Sequence, residues 1–273
     1  MAILAALLLV SCSSIPRASK DQLRHHPEVY TGRLENGLTY SLMNNPEPQK
    51  RLALRLVVSA GSALEDDDQQ GLAHVVEHMA FNGTKSFRKQ ALVDFLEKMG
   101  VNFGAHLNAY TSFDETVYML EVPTDSDNTN LVETAFQILS EWAGAVEFEA
   151  EEIDKERGVV IEEWRLRRGA SQRLRDEQLP VLLKNSRYAD RLPIGKKDIL
   201  ETFDHDRLRQ YYKDWYRPNL MHVIAVGPMD KRQIESYIQK HFGQLKSNGR
   251  NPDHGIFDVP VIPGTLYSSA TDP

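Results

Sequence analysis

The sequence predicts an α+β fold: a mixed, mainly antiparallel sheet with helices packed on one face. Three observations predict it. Strand-like segments come in adjacent pairs, 38–43 with 52–59 and 104–111 with 116–122. Helical patterns come in runs, over about 128–143, 149–168 and 172–185. Strand and helix do not alternate strictly, as a doubly wound parallel sheet would require. The 273 residues carry 32 Lys+Arg against 39 Asp+Glu, a net charge of −7, and 41% are hydrophobic. That balance belongs to a globular chain and excludes a disordered or coiled-coil one. The acidic excess argues against nucleic acid as the partner. A single cysteine excludes an intrachain disulfide and any metal site built from several cysteines.

Along the chain, Met1–Val10 is almost purely apolar. A membrane span needs about 20 such residues, whereas the core of an export signal needs about 7–15. Leu9-Val10-Ser11-Cys12 follows and resembles a bacterial lipoprotein box, cut before the cysteine. The resemblance implies export, acylation of Cys12, and a periplasmic or outer-membrane lipoprotein held at the membrane by lipid. Residues 13–29 are polar and read as a tether, and the folded domain is expected over 30–245. Asn36-Gly37 is a turn pair that joins a first strand to 38–43 as a hairpin. Residues 52–59 form a second, apolar strand. Asp66, Asp67 and Asp68 precede a helix expected over 69–81, where their charge suits the N-terminal dipole. Ser86 is the expected cap of the next helix, whose apolar stripe is Leu92, Phe95, Leu96 and Met99. Residues 104–111 and 116–122 alternate at period two and read as an antiparallel pair. Further helices are expected at 204–214 and 230–242, with a buried strand at 220–226 between them. Residues 246–273 are rich in Gly and Pro and read as a linker toward a following domain.

The chemistry begins at His74-Val75-Val76-Glu77-His78. At about 100° per residue, Leu72, Val76 and Met79 fall within about 60° of one another. His74, His78 and Glu77 lie on the opposite face. Imidazoles at i and i+4 can meet one metal ion, and Glu77 sits to one side, placed to hold a water rather than to complete the ligand set. A third protein ligand must come from another element. The helix near 149–168 offers Glu156 and Glu163, seven apart and so on one stripe, beside the apolar Ile153, Val160 and Trp164. Spacing alone leaves equal room for an ordinary charged, solvated helix.

HVVEH on a helix, followed in order by HLNAYTS, TVY and ERGVVIEE, resembles the pitrilysin/insulinase family of inverted-motif zinc peptidases. The resemblance covers about residues 31–245, one whole family domain. It implies a processing-peptidase-like two-layer fold and one Zn2+. His74, His78 and Glu163 are then its ligands, Glu77 the general base, and Glu156 an assisting acid. Asn108 and Ala109 fall on the edge strand that would pair with an extended substrate. The implied activity is hydrolysis of peptide bonds in short or unfolded peptides by a metal-activated water. The alternative is a non-catalytic family module or a fragment that needs its partner. Family members close as clamshells, and the second, homologous half, which supplies an Arg and a Tyr, is expected from the same longer protein or a separate subunit. Tyr216 and Arg217 are expected to pack ahead of the 220–226 strand instead. The arginines at 165, 167, 168, 173 and 175 read as a solvated face, His222 as a satisfied sheet residue, His25-His26 as tether, and Trp142, Trp164 and Trp215 as core.

Overall fold

The computed structural model describes residues 26–271 apart from 48, 49, 99, 103, 126–129, 168, 248, 251 and 256. Cys12, the lipoprotein box and nearly all of the tether lie outside the described residues. Among the described residues six strands form one sheet: β1 (Tyr30–Arg33), β2 (Thr39–Asn44), β3 (Arg51–Val58), β4 (Leu107–Thr111), β5 (Thr116–Pro123) and β6 (Met221–Gly227), in the order β1-β2-β6-β3-β5-β4. Every pair is antiparallel except β2 with β6. Among the described residues there are eight α-helices: α1 (Leu72–Asn82), α2 (Lys89–Lys98), α3 (Leu131–Gly144), α4 (Ala150–Leu166), α5 (Ala170–Leu182), α6 (Lys197–Thr202), α7 (His205–Trp215) and α8 (Lys231–Phe242). The α+β expectation is met.

Period-two burial explains the two faces of the sheet. Leu52, Leu54, Leu56 and Val58 of β3 are fully buried, while the residues between them are half-buried. The buried face meets α3 and α8. On the other face Arg55 pairs with Glu121 across β3 and β5 at 3.1 Å. His222 on β6 is satisfied there by the Thr39 hydroxyl at 2.7 Å and the Ser41 hydroxyl at 2.9 Å. Asn36-Gly37 makes the expected hairpin turn, with Gly37 at φ +94°. The Tyr216 hydroxyl meets that of Tyr118 at 2.7 Å in the core, and Arg217 donates to the Pro252 carbonyl, so both pack ahead of β6.

Two local expectations, for Ser86 and for Asp66–Asp68, fail for identifiable reasons. Ser86 caps no helix: its N–H and the Thr84 hydroxyl donate to the buried Glu141 carboxylate, and α2 begins three residues later. The described residues of 246–271 belong to no named strand or helix, and part of the segment is bound to the domain. Arg250 pairs with the buried Asp214 carboxylate, and the His254 ring meets the Ser59 carbonyl at 2.6 Å. Finally, Asp66–Asp68 do not face the N-terminus of α1. Asp67–Gln69 form a short 3-10 turn, and the acids pair with Arg191 and Arg207.

The acid at the start of α1 is Glu65. Its Oε1 accepts the N–H groups of Gly71 at 3.0 Å and Ala73 at 2.8 Å, satisfying two of the helix's otherwise orphaned donors. Gly71 takes φ +104° to turn the chain into the helix, and Gly195 lies so close that a Cβ there would fall 2.4 Å from the Gly71 Cα. Glu65 is fully buried, and its Oε2 has no partner among the described residues. Burial raises its pKa from 4.5 to about 8, although the two N–H groups, Arg191 and Arg187 pull the other way. A raised acid makes the folded chain hold a proton that the unfolded chain has lost. Its stability contribution is therefore fullest below pH 4.5 and declines as pH rises toward about 8. Glu65→Gln is expected to flatten this decline in thermal melts taken between pH 5 and pH 8.5; an unchanged slope would remove Glu65 as its source.

Candidate metal centre

The helix α1 divides as its sequence requires. Leu72, Val75, Val76 and Met79 are fully buried in the core. His74, Glu77 and His78 face α4 and β4, with His74 and Glu77 nearly buried. Helix α4 lies across this face because Ile153 and Val160, both fully buried, pin it inward. Glu156 and Glu163, on the neighbouring stripe, are thereby carried to the two histidines.

Three donor atoms converge. His74 Nε2 and His78 Nε2 are 3.2 Å apart, and Glu163 Oε2 lies 3.3 Å from the second and 3.6 Å from the first. A tetrahedral ion about 2.0–2.1 Å from each donor sets donor separations near ~3.4 Å, so the residues present fit zinc. Among the described residues these are the only three His, Cys, Asp or Glu side chains grouped closely enough to hold a metal.

The surroundings fix the orientation of each group. His78 Nδ1–H donates to Glu156 Oε1 at 2.7 Å, which keeps the proton on Nδ1 and turns the Nε2 lone pair toward the other donors. Asn82, one turn further along α1, donates to Glu156 Oε2 at 2.6 Å. Burial and the neighbouring His78 push the His74 pKa down, so that ring is neutral and ready to ligate. Burial also opposes charge on His78, but hydrogen bonds to Glu156 and Glu163 outweigh it and bring His78 up to about 9. Before the metal enters, a proton on His78 therefore serves the same two carboxylates. The hydrogen bond from His78 holds Glu163 well below the usual carboxylate range, against burial.

Glu77 stands beside this triangle without joining it. Burial raises its pKa, opposed by the Thr111 hydroxyl, which donates to Glu77 Oε2 at 2.6 Å. Asn108 and Ala109 lie on the edge strand β4 and line one cavity with His74, Glu77, His78, Glu156 and Glu163. The structure thus brings together all seven candidate residues of the domain. His106 lies outside the cavity lining and takes the Asn102 N–H in the turn before β4. Thr111, Asn82 and Arg167 were not singled out as site residues from the sequence. Thr111 belongs to the quoted HLNAYTS segment, and Asn82 is i+4 from His78; only the strand register and the helix crossing make these positions informative. In the arginine cluster Arg165 pairs with Glu162 in solvent, as expected, while Arg168 lies outside the described residues. Arg167 departs from that expectation and pairs with Glu163. Of the tryptophans, Trp142 and Trp215 are buried, and Trp164 packs at the core's margin.

A sheet backed by helices, with HxxEH on one helix and a carboxylate brought in from a second, defines a domain of the inverted-motif metallopeptidase class. A sequence model described as insulinase (peptidase family M16) matches residues 40–185, and one described as peptidase M16 inactive domain matches 202–269. The chain belongs to the insulinase family of peptidases, M16. It is 41% identical over 255 residues to a probable zinc protease PqqL of Haemophilus influenzae, covering 93% of this chain and 27% of that protein. It is 40% identical over 243 residues to the Escherichia coli protein of the same name, covering 89% and 26%. It superposes on the first half of the periplasmic protease PqqL from Escherichia coli with a TM-score of 0.80 and 38% identity, covering 86% of this chain and 49% of that one. The chain therefore spans about a quarter of the length of these curated relatives. Among the described residues no helix is long and apolar enough to cross a membrane.

Proposed function

We propose that this chain is the zinc-binding endopeptidase domain of a longer exported enzyme that cleaves short or unfolded peptides. One observation carries the reading: two imidazole nitrogens and a carboxylate oxygen converge within 3.6 Å, with the Glu77 carboxylate alongside them in the same cavity. Zinc bound there would supply Lewis acidity, lowering the pKa of a water to about 7 and polarising the scissile carbonyl. His74, His78 and Glu163 hold the ion. Glu156 keeps His78 turned toward it. Glu77 takes the proton from the attacking water onto its carboxylate and passes it to the leaving amine. Its burial supports this role, because a carboxylate with a raised pKa keeps a captured proton long enough to deliver it.

Asn108 and Ala109 contribute their backbone. An extended peptide that adds to the free edge of β4 is read through its main chain, which selects for length and flexibility more than for sequence. The second half of the clamshell, from the rest of a longer protein or from a separate subunit, would close over this cleft. Lipid on Cys12 would hold the enzyme at a membrane surface.

Cleavage of a fluorogenic unstructured peptide tests the reading, with the chain assayed alone and in its full-length protein. Hydrolysis in the full-length protein that a chelator abolishes and zinc restores is the expected result. Hydrolysis that survives chelation, with the ion verifiably removed, would contradict it.

A further inference from the structure

We infer that Arg167 is a positioning residue that presents Glu163 to the ion through one oxygen; this rests on the metal site proposed above. Arg167 closes α4, its N–H bonded to the Glu163 carbonyl at 2.9 Å. One turn of helix thus separates the two side chains, and the guanidinium pairs with Glu163 Oε1. The other oxygen, Oε2, is the one that faces His74 and His78. The two oxygens of one carboxylate are divided between a cation on its own helix and the donor triangle.

The division matters because the two histidines act on Oε2 alone, whereas Arg167 engages Oε1. The Glu163 side chain is 23% exposed, and a Glu has three torsions through which the carboxylate could swing toward water. The Arg167 guanidinium meets Glu163 through one oxygen, which limits how far the carboxylate can turn about its last torsion. With Oε1 engaged, Oε2 is left as a single-oxygen ligand. Arg167 is also placed at the cleft: it lines the cavity of the donor triangle and the adjoining one formed with Ala109, Tyr110 and Thr111. Its neighbour Arg165 pairs with Glu162 on the solvent side and reaches neither cavity, so the two arginines of one cluster have separate roles.

Two effects of Arg167 oppose each other. Its positive charge repels a dication, whereas its grip on Glu163 preorganises a ligand. Groups that orient metal ligands from outside are each worth roughly 10–100-fold in affinity, and orientation is expected to win. The experiment is zinc affinity, measured by competition with a chromophoric chelator, on the parent, Arg167→Ala, Arg167→Gln and Arg167→Lys. Arg167→Ala is expected to bind zinc about tenfold more weakly, with partial recovery in Arg167→Gln, which keeps an N–H donor without the charge. The Arg167 side chain is 64% exposed, so the melting temperature of the zinc-free chain should be unchanged, which separates positioning from a role in the fold. Equal or tighter binding by Arg167→Ala would overturn this inference and leave the metal site standing. No zinc in the parent would overturn both.

Discussion

Glu77→Gln is expected to keep about one zinc per chain and to lose peptidase rate by about 10²–10⁴-fold in the full-length protein. The substitution preserves the shape of the side chain, and Glu77 is absent from the donor triangle. The Thr111 hydroxyl can still donate to the amide oxygen in place of Glu77 Oε2. An amide, however, cannot take a proton from water. On the proposed mechanism, metal binding and proton transfer fall to different side chains on one turn of α1. Elemental analysis paired with steady-state cleavage reads the two separately. Unchanged cleavage would remove Glu77 from the mechanism, and loss of zinc would mean that Glu77 supports the ligands directly.

Glu163→Ala is expected to lose most of its zinc. Two neutral imidazoles would remain, without the one anionic donor of the triangle, and a ligand is worth more than the roughly 10–100-fold that an orienting partner contributes. The fold should survive, because α4 is held by Ile153 and Val160 on its inward stripe and Glu163 lies beside that stripe. Loss of attraction also matters: His78 would lose one of the two carboxylates that hold its pKa at about 9. A melting curve like the parent's, together with a large fall in zinc affinity, is the expected pair of results. Parent-like zinc content in this variant would exclude Glu163 as a ligand.

The parts of this molecule that were legible in the sequence are those set by short-range periodicity. His74 and His78 are one helical turn apart, and Glu156 and Glu163 are two turns apart on a second helix, so each pair could be assigned to a face. The hairpins β1–β2 and β4–β5 followed from turn residues and alternation. The insertion of β6 between β2 and β3 was not legible, because Thr39 and His222 pair across 183 residues. The same limit hid Thr111 and Asn82, whose partners are set by how strands and helices cross. The acidic run at Asp66–Asp68 misled for a different reason: exposed acids found arginines, while the buried Glu65 took the helix N-terminus. Local charge pattern favours the obvious acids, and tertiary packing decides which one is used.

The proposed zinc site draws every protein ligand from this one domain. Zinc per chain, by elemental analysis on the folded chain beginning after Cys12, tests it most directly. About one zinc per chain is expected, removable by chelator and restored on adding zinc. A well-folded chain that takes up none would contradict it, and the site would then have to be completed by residues from outside this domain.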